Sequence, residues 1–124
     1  MFFCRRLLEI HHGEKRMFEI IDNDSERVYV LKCDNMASDL RLLEKSTDEF
    51  IKSDNRNLVI DMTGQNIICS LLLAAMIRIK RELLVEGRSL IISNCNSHVY
   101  RCMEMAGLET FFSFSNQTFD IHPH

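Results

Sequence analysis

Residues 57–86 read N-L-V-I-D-M-T-G-Q-N-I-I-C-S-L-L-L-A-A-M-I-R-I-K-R-E-L-L-V-E. The run Leu58-Val59-Ile60 ends at an acid, Asp61, and turn-forming residues bound it on either side. A short apolar run so bounded fits a strand buried on both faces. Residues 62–66 hold Thr63, Gly64, Gln65 and Asn66, which suits the loop at that strand's carboxyl end. From Ser70 the chain runs without Gly or Pro as far as Gly87. A serine hydroxyl accepts an orphan N–H of a first helical turn, so Ser70 is read as the N-cap. The unit is strand, loop, helix. In open α/β sheets the loop beyond a parallel strand's carboxyl end is where sites are built. Residues 63–72 are therefore the place to look for chemistry or docking.

Working outward, Gly87 sits where a helix commonly stops, because glycine takes positive φ without penalty. Ser89-Leu90-Ile91-Ile92-Ser93 is a second short buried strand. Strand, crossover helix and strand in this order make a right-handed βαβ unit. Residues 94–97 form the next loop, with Ser97 as the expected cap of a helix over 99–106 whose stripe is Val99, Met103 and Ala106. Gly107 closes it, and Phe111, Phe112 and Phe114 mark a last edge strand. The first turns of the long helix, residues 71–77, are apolar all round, which predicts a buried start. Arg78, Lys80 and Arg81 follow, and the expectation is that they complement the helix dipole.

Upstream, residues 17–21 and 28–33 are apolar-rich and flank Asp22-Asn23-Asp24-Ser25-Glu26. Asx and Ser side chains bond their own backbone in turns, so the pair reads as a hairpin. Over 39–52 the positions Leu40, Leu43, Thr47, Phe50 and Ile51 recur at helical spacing, with charged residues largely on the other side. Residues 1–16 mix apolar and basic residues without a clean period. They are read as an N-terminal extension, lying on the domain or serving as a docking or membrane-surface segment. Residues 116–124 are read as a C-terminal tail.

Composition narrows the function. The chain has 124 residues, a formal net charge of −3 and 46% apolar residues, the profile of one globular domain. The charge and the lack of a basic tail argue against nucleic acid as a partner. The longest uncharged apolar stretch, residues 67–77, falls short of the about 20 residues a spanning helix needs, so no integral membrane segment is expected. The N-terminal charges follow the apolar residues, the wrong order for a signal peptide. Five cysteines, Cys4, Cys33, Cys69, Cys95 and Cys102, form no C-x-x-C pair. They read as free thiols in a reducing cytoplasm. His11, His12, His122 and His124 lie in the end segments without four-ligand spacing, so no metal and no cofactor is expected.

The ordered set formed by the L-V-I-D-M-T-G strand, the C-S-L-L-L-A-A-M-I-R-I-K-R-E-L-L-V-E-G-R helix, the S-L-I-I-S-N strand and the closing V-Y-R-C-M-E-M-A-G-L-E-T-F-F resembles the STAS domain. That domain is shared by sulfate-type anion transporters and bacterial anti-sigma-factor antagonists. The resemblance covers about residues 17–115, including the leading hairpin and Asp34 in the loop before the first helix. It implies an α/β domain with a mixed central sheet of four to five strands and packed helices. It also implies a non-catalytic role, binding a regulatory partner, an anti-sigma factor that is itself a serine kinase. In such proteins the long helix starts with an acid, a Ser, a second hydroxyl and a Gly, and the kinase phosphorylates that second hydroxyl. Here the four positions are Cys69, Ser70, Leu71 and Leu72.

The acid, the usual acceptor and the glycine are thus replaced, and Ser70 alone keeps its hydroxyl. Either Ser70 has become the acceptor, one position early, or the switch is lost and the surface binds constitutively. The expected partner-binding residues are Thr63, Asn66, Cys69, Ser70, Leu71 and Leu72, with Asp34. A structural role in a transporter-associated or signalling assembly is the alternative, and pairing with a second copy stays open. A third reading makes Cys69 a nucleophile at a helix start, with His98 as the base such a thiol needs.

Overall fold

A computed structural model describes residues 18–32 and 40–115, together with the backbone of a strand at Cys4–Leu7. The order is β1 (Cys4–Leu7), β2 (Phe18–Asp22), β3 (Glu26–Leu31), α1 (Leu40–Ser53), β4 (Asn57–Asp61), α2 (Ser70–Val85), β5 (Leu90–Ser93), α3 (Ser97–Met105) and β6 (Ser113–Ser115). One mixed sheet carries the strands in sequence order, with β1, β2 and β3 antiparallel and β3 to β6 parallel. The expected α/β fold with a mixed central sheet is observed, and among the described residues the sheet has six strands where four to five were expected. The additional strand is β1, which lies within the segment read as an N-terminal extension and pairs Cys4 with Asp22 and Leu7 with Glu19. Period-2 alternation is absent from Cys4-Arg5-Arg6-Leu7, so the sequence carried no strand signal there.

Sheet and helices follow local chemistry. Asn23 Oδ1 accepts the backbone N–H groups of Ser25 and Glu26, both at 2.9 Å, closing the β2–β3 turn. Leu40, Leu43, Thr47, Phe50 and Ile51 are all buried, so the helical stripe of α1 is its core face. Gly87 and Gly107 have φ of 71° and 74°, as helix-stopping glycines do. The last strand begins at Ser113; Phe112 precedes it and is buried in the core.

Each parallel strand moves one place along the sheet in the same direction, and such crossovers are right-handed. Hence α1, α2 and α3 all pack on one face. The core lies there, between Phe18, Ile20, Tyr29, Ile60 and Ile92 of the sheet and residues such as Phe50, Met76, Ile79 and Met103 of the helices. At the end where the parallel strands begin, the guanidiniums of Arg27, Arg56 and Arg88 lie 5.0, 5.5 and 5.3 Å from the Phe50 ring centre. Asp22, Asp54 and Glu86 pair with them. Arg56, hydrogen-bonded to Asp54, holds that carboxyl far below the usual carboxylate range.

On the solvent side of the helices Arg78 reaches Asp48 at 2.8 Å, Glu82 at 2.7 Å and Glu44 at 3.1 Å. Burial alone would lower its pKa, but the bonds to Asp48 and Glu82 outweigh burial and raise it. Arg78 therefore ties α2 to α1. The last turn of α2 holds no basic residue, so the expected complement to the helix dipole is not formed there.

Candidate functional site

The loop after β4 and the start of α2 form the site. Met62 is fully buried, and its N–H donates to Ser93 O at 2.8 Å, tying the loop's root to β5. Asp61 Oδ1 accepts the N–H and the hydroxyl of Thr63, while Asp61 Oδ2 accepts Asn94 Nδ2 at 3.0 Å. Asn94 has φ of 54°, the left-handed conformation that Asn tolerates better than most residues. The strand-end acid is thus a bracket between two loops. Gly64 passes so close to β3 that an added Cβ would lie 2.5 Å from Leu31 O and 2.9 Å from Lys32 C. Asn96 Nδ2 donates to Gln65 O at 3.0 Å, so the loop is held from both sides.

The cap of α2 is Cys69, whose Sγ accepts the N–H of Leu72 at 3.4 Å. Ser70 is the first helical residue, and its side chain is exposed. Likewise Asn96, one residue before the expected Ser97, caps α3. Both cap positions lay one residue earlier than read. A serine hydroxyl is the stronger acceptor, yet the register of the turn places the Cys69 thiol at the cap.

Around Ser70 the surface is apolar. Ile67 is 54% exposed and Leu71 is 60% exposed. Thr63, Asn66 and Ala74 are also exposed. Leu72, by contrast, is 1% exposed and belongs to the core. The all-apolar start of α2 is therefore split, with Leu72, Ala75 and Met76 buried and Leu71 turned to solvent. Asp34 lies outside the described residues. Ile67 was not among the expected site residues; its place in a loop, next to an apolar helix start, was the available signal.

Among the described residues no hydrogen bond joins Cys69 to His98, and the thiol is engaged as a cap. No group of three metal-ligating side chains is present among the described residues. No helix among them is long and apolar enough to cross a membrane. Cys69, Cys95 and Cys102 are free thiols.

Comparison with known proteins agrees with this architecture. No curated protein matches the sequence. Among solved structures, a candidate anti-sigma factor antagonist from Thermotoga maritima, TM1081, superposes with a TM-score of 0.71 at 18% identity, covering 83% of this chain and 87% of that one. The NMR structure of TM1081 gives a TM-score of 0.69 at 20% identity, covering 88% of each chain. A substituted form of Moorella thermoacetica RsbS gives 0.69 at 15% identity, covering 78% of this chain and 84% of that one. At these identities the likeness establishes the fold. The model of the STAS domain matches residues 15–121, and the chain belongs to the STAS domain family.

Proposed function

We propose that this protein is a non-catalytic interaction module of the anti-sigma-factor-antagonist kind. It acts in the cytoplasm and binds a regulatory protein through the exposed side of residues 63–71 and the adjoining face of α2. The observation that carries this reading is the exposure of Ile67 and Leu71 on either side of Ser70. Burying such a side chain in an interface contributes about 1.5–3 kcal/mol. The Thermotoga maritima neighbour, whose name describes a candidate anti-sigma factor antagonist, supports the general kind.

Leu71 stands where the family resemblance puts the phosphoacceptor, so the docking is constitutive and the usual switch is lost. Ser70 offers the remaining hydroxyl. A phosphate there would be tolerated within the domain by the N–H groups of the helix start. In a packed apolar interface it would repel a partner and carry a large desolvation cost. The same constitutive surface also suits a structural subunit of a larger signalling assembly.

The test is affinity capture from the native host with wild type, Ser70→Asp and Leu71→Asp, with mass spectrometry of partners and bait. Constitutive docking predicts a partner held by wild type with no phosphate on the bait, and its loss in Leu71→Asp; a charge at Ser70 weakens capture in either case, so phosphate on the wild-type bait decides between the two. Loss of the partner in Ser70→Asp, with phosphate on wild-type Ser70, would mean that a switch persists at the neighbouring position. Retention of the partner by Leu71→Asp would remove this surface from consideration.

A further inference from the structure

Three large apolar side chains stand in water away from residues 63–71. Leu84 is 59% exposed, Val85 is 87% exposed and Met105 is 85% exposed. Leu84 lies roughly 20 Å along the α2 axis from Leu71. Exposed apolar residues scattered singly are normal, whereas a group of them rimmed by polar residues marks an interaction site. Helical geometry makes these a group. Arg78 bonds Glu44 and Asp48 of α1, so Arg78 and its partner Glu82 mark the α1 side of α2. At about 100° per residue, Ile77, Lys80 and Leu84 fall on the opposite side. The parallel strands run in sequence order, so the helix next to that side is α3. On α3 Val99, Tyr100 and Met103 are buried, which turns Arg101 and Met105 outward. Both helices start beyond the carboxyl ends of adjacent strands. Lys80 is roughly 15 Å from the start of α2 and Met105 roughly 12 Å from the start of α3, so they stand at similar depth.

The charge on this surface has one sign. Among the described residues no ion pair engages Lys80, Arg81 or Arg101, while the acids at the end of α2 are taken, Glu82 by Arg78 and Glu86 by Arg88. Tyr100 packs on Phe114 of β6. Glu104, one turn after Tyr100, therefore lies on the side of α3 away from α2. The surface thus combines exposed apolar side chains with three cations that have no acid of their own.

We infer that this face docks an acidic amphipathic helix of a partner protein, its apolar side on Ile77, Leu84 and Met105 and its carboxylates at Lys80, Arg81 and Arg101. A helix laid on such a surface anchors through residues at helical spacing. Complementary charge at the edges fixes its register and speeds encounter. An anionic bilayer suits the surface less. The chain carries a net charge of −3, and Glu44, Asp48 and Glu49 stand on the neighbouring outer face of α1. A flat membrane would press phosphates against those acids. A helix about 10 Å wide covers α2 and α3 without reaching them. The inference rests on the docking reading for the partner being a protein, and adds a second contact to it.

The experiment titrates the full chain with an acetylated three-heptad peptide of repeat Glu-Leu-Leu-Glu-Glu-Ala-Leu, followed by amide chemical shifts at constant ionic strength. Saturable shifts at Ile77, Lys80, Leu84, Arg101 and Met105 are expected. The same peptide with Lys for Glu should bind at least about tenfold more weakly. Lys80→Glu combined with Arg101→Glu should weaken the acidic peptide about tenfold and strengthen the lysine peptide. Leu71→Asp should leave these shifts in place, so loss of partner capture in that variant and loss of peptide binding here are separate results. Equal binding of the two peptides, an affinity unchanged by the double reversal, or shifts confined to Arg41, Lys45 and Lys52 of α1 would overturn the inference. So would phosphatidylserine vesicles that bind through Lys80 and Arg101 when the acidic peptide does not, since the face would then belong to a membrane. Self-association that Leu84→Asp abolishes, in a protein showing no peptide shifts, would give the face to a second copy and overturn it as well.

Discussion

Cys69 Sγ accepts the N–H of Leu72 at 3.4 Å, so a thiol closes the first turn of α2 while the neighbouring Ser70 hydroxyl faces solvent. Sulfur is a weak acceptor. Cys69→Ser places a better cap on the same backbone and should raise stability by about 0.5–1 kcal/mol. Ser70→Ala should leave stability within about 0.5 kcal/mol of wild type. Urea unfolding of both variants checks this. A loss at Ser70→Ala as large as a lost cap would move the cap to Ser70.

Adjacent leucines of α2 should behave oppositely. Leu72 is in the core, and Leu72→Ala should cost about 2–5 kcal/mol through lost burial and a residual cavity. Leu71 faces water, so Leu71→Ala should cost little in stability while weakening partner capture. Denaturation midpoints and capture yields, measured on both variants, separate the roles. A large loss of stability from Leu71→Ala would mean that its side chain is part of the core.

Much of this fold is legible because its strongest signals are local. The stripe Leu40, Leu43, Thr47, Phe50 and Ile51 maps onto the buried face of α1, and Gly87 takes the positive φ its position implies. Asn23 closes the hairpin turn by bonds within three residues. What the sequence left open depends on partners distant along the chain. Arg78 stands between Ile77 and Ile79 with only Glu82 as an acid within helical reach in sequence, yet two of its three acids, Glu44 and Asp48, come from another helix. The strand β1 is specified by pairing with β2 and not by its own pattern. Leu71 and Leu72 are alike in type, and only the helix's rotation against the sheet assigns one to solvent and the other to the core. The sheet face opposite the helices is the clearest case. The strand holding Val59 reads as buried on both faces and that holding Ile91 as buried, and only the topology shows that no described helix covers one side.

Gly64 should resist substitution for a steric reason, without any appeal to its φ. Its Cβ would meet the backbone at the end of β3, Leu31 O at 2.5 Å and Lys32 C at 2.9 Å, and neither can rotate away. Gly64→Ala should therefore push residues 63–67 outward and cost about 1–3 kcal/mol. Amide shifts in the loop should move together with those of Leu31 and Lys32. If they are unchanged and stability is intact, the loop does not approach β3 this closely.

Thiol chemistry should rank the three described cysteines. Burial pushes the Cys95 thiol up to about 11, with the nearby Cys102 adding to the effect. The thiolate is the reactive form, so at about pH 8 roughly one Cys95 thiol in a thousand is ionised, and the residue is fully enclosed as well. Cys69 and Cys102 are only half-buried. A thiol reagent at that pH should label Cys69 and Cys102 first and reach Cys95 only as the domain opens, so denaturant should accelerate Cys95 far more than the others. Raising the pH through the Cys95 value should speed its labelling by increasing the thiolate fraction. Peptide mapping after timed labelling reads the order directly, and early modification of Cys95 in the native state would show that the wall between β5 and α3 is open.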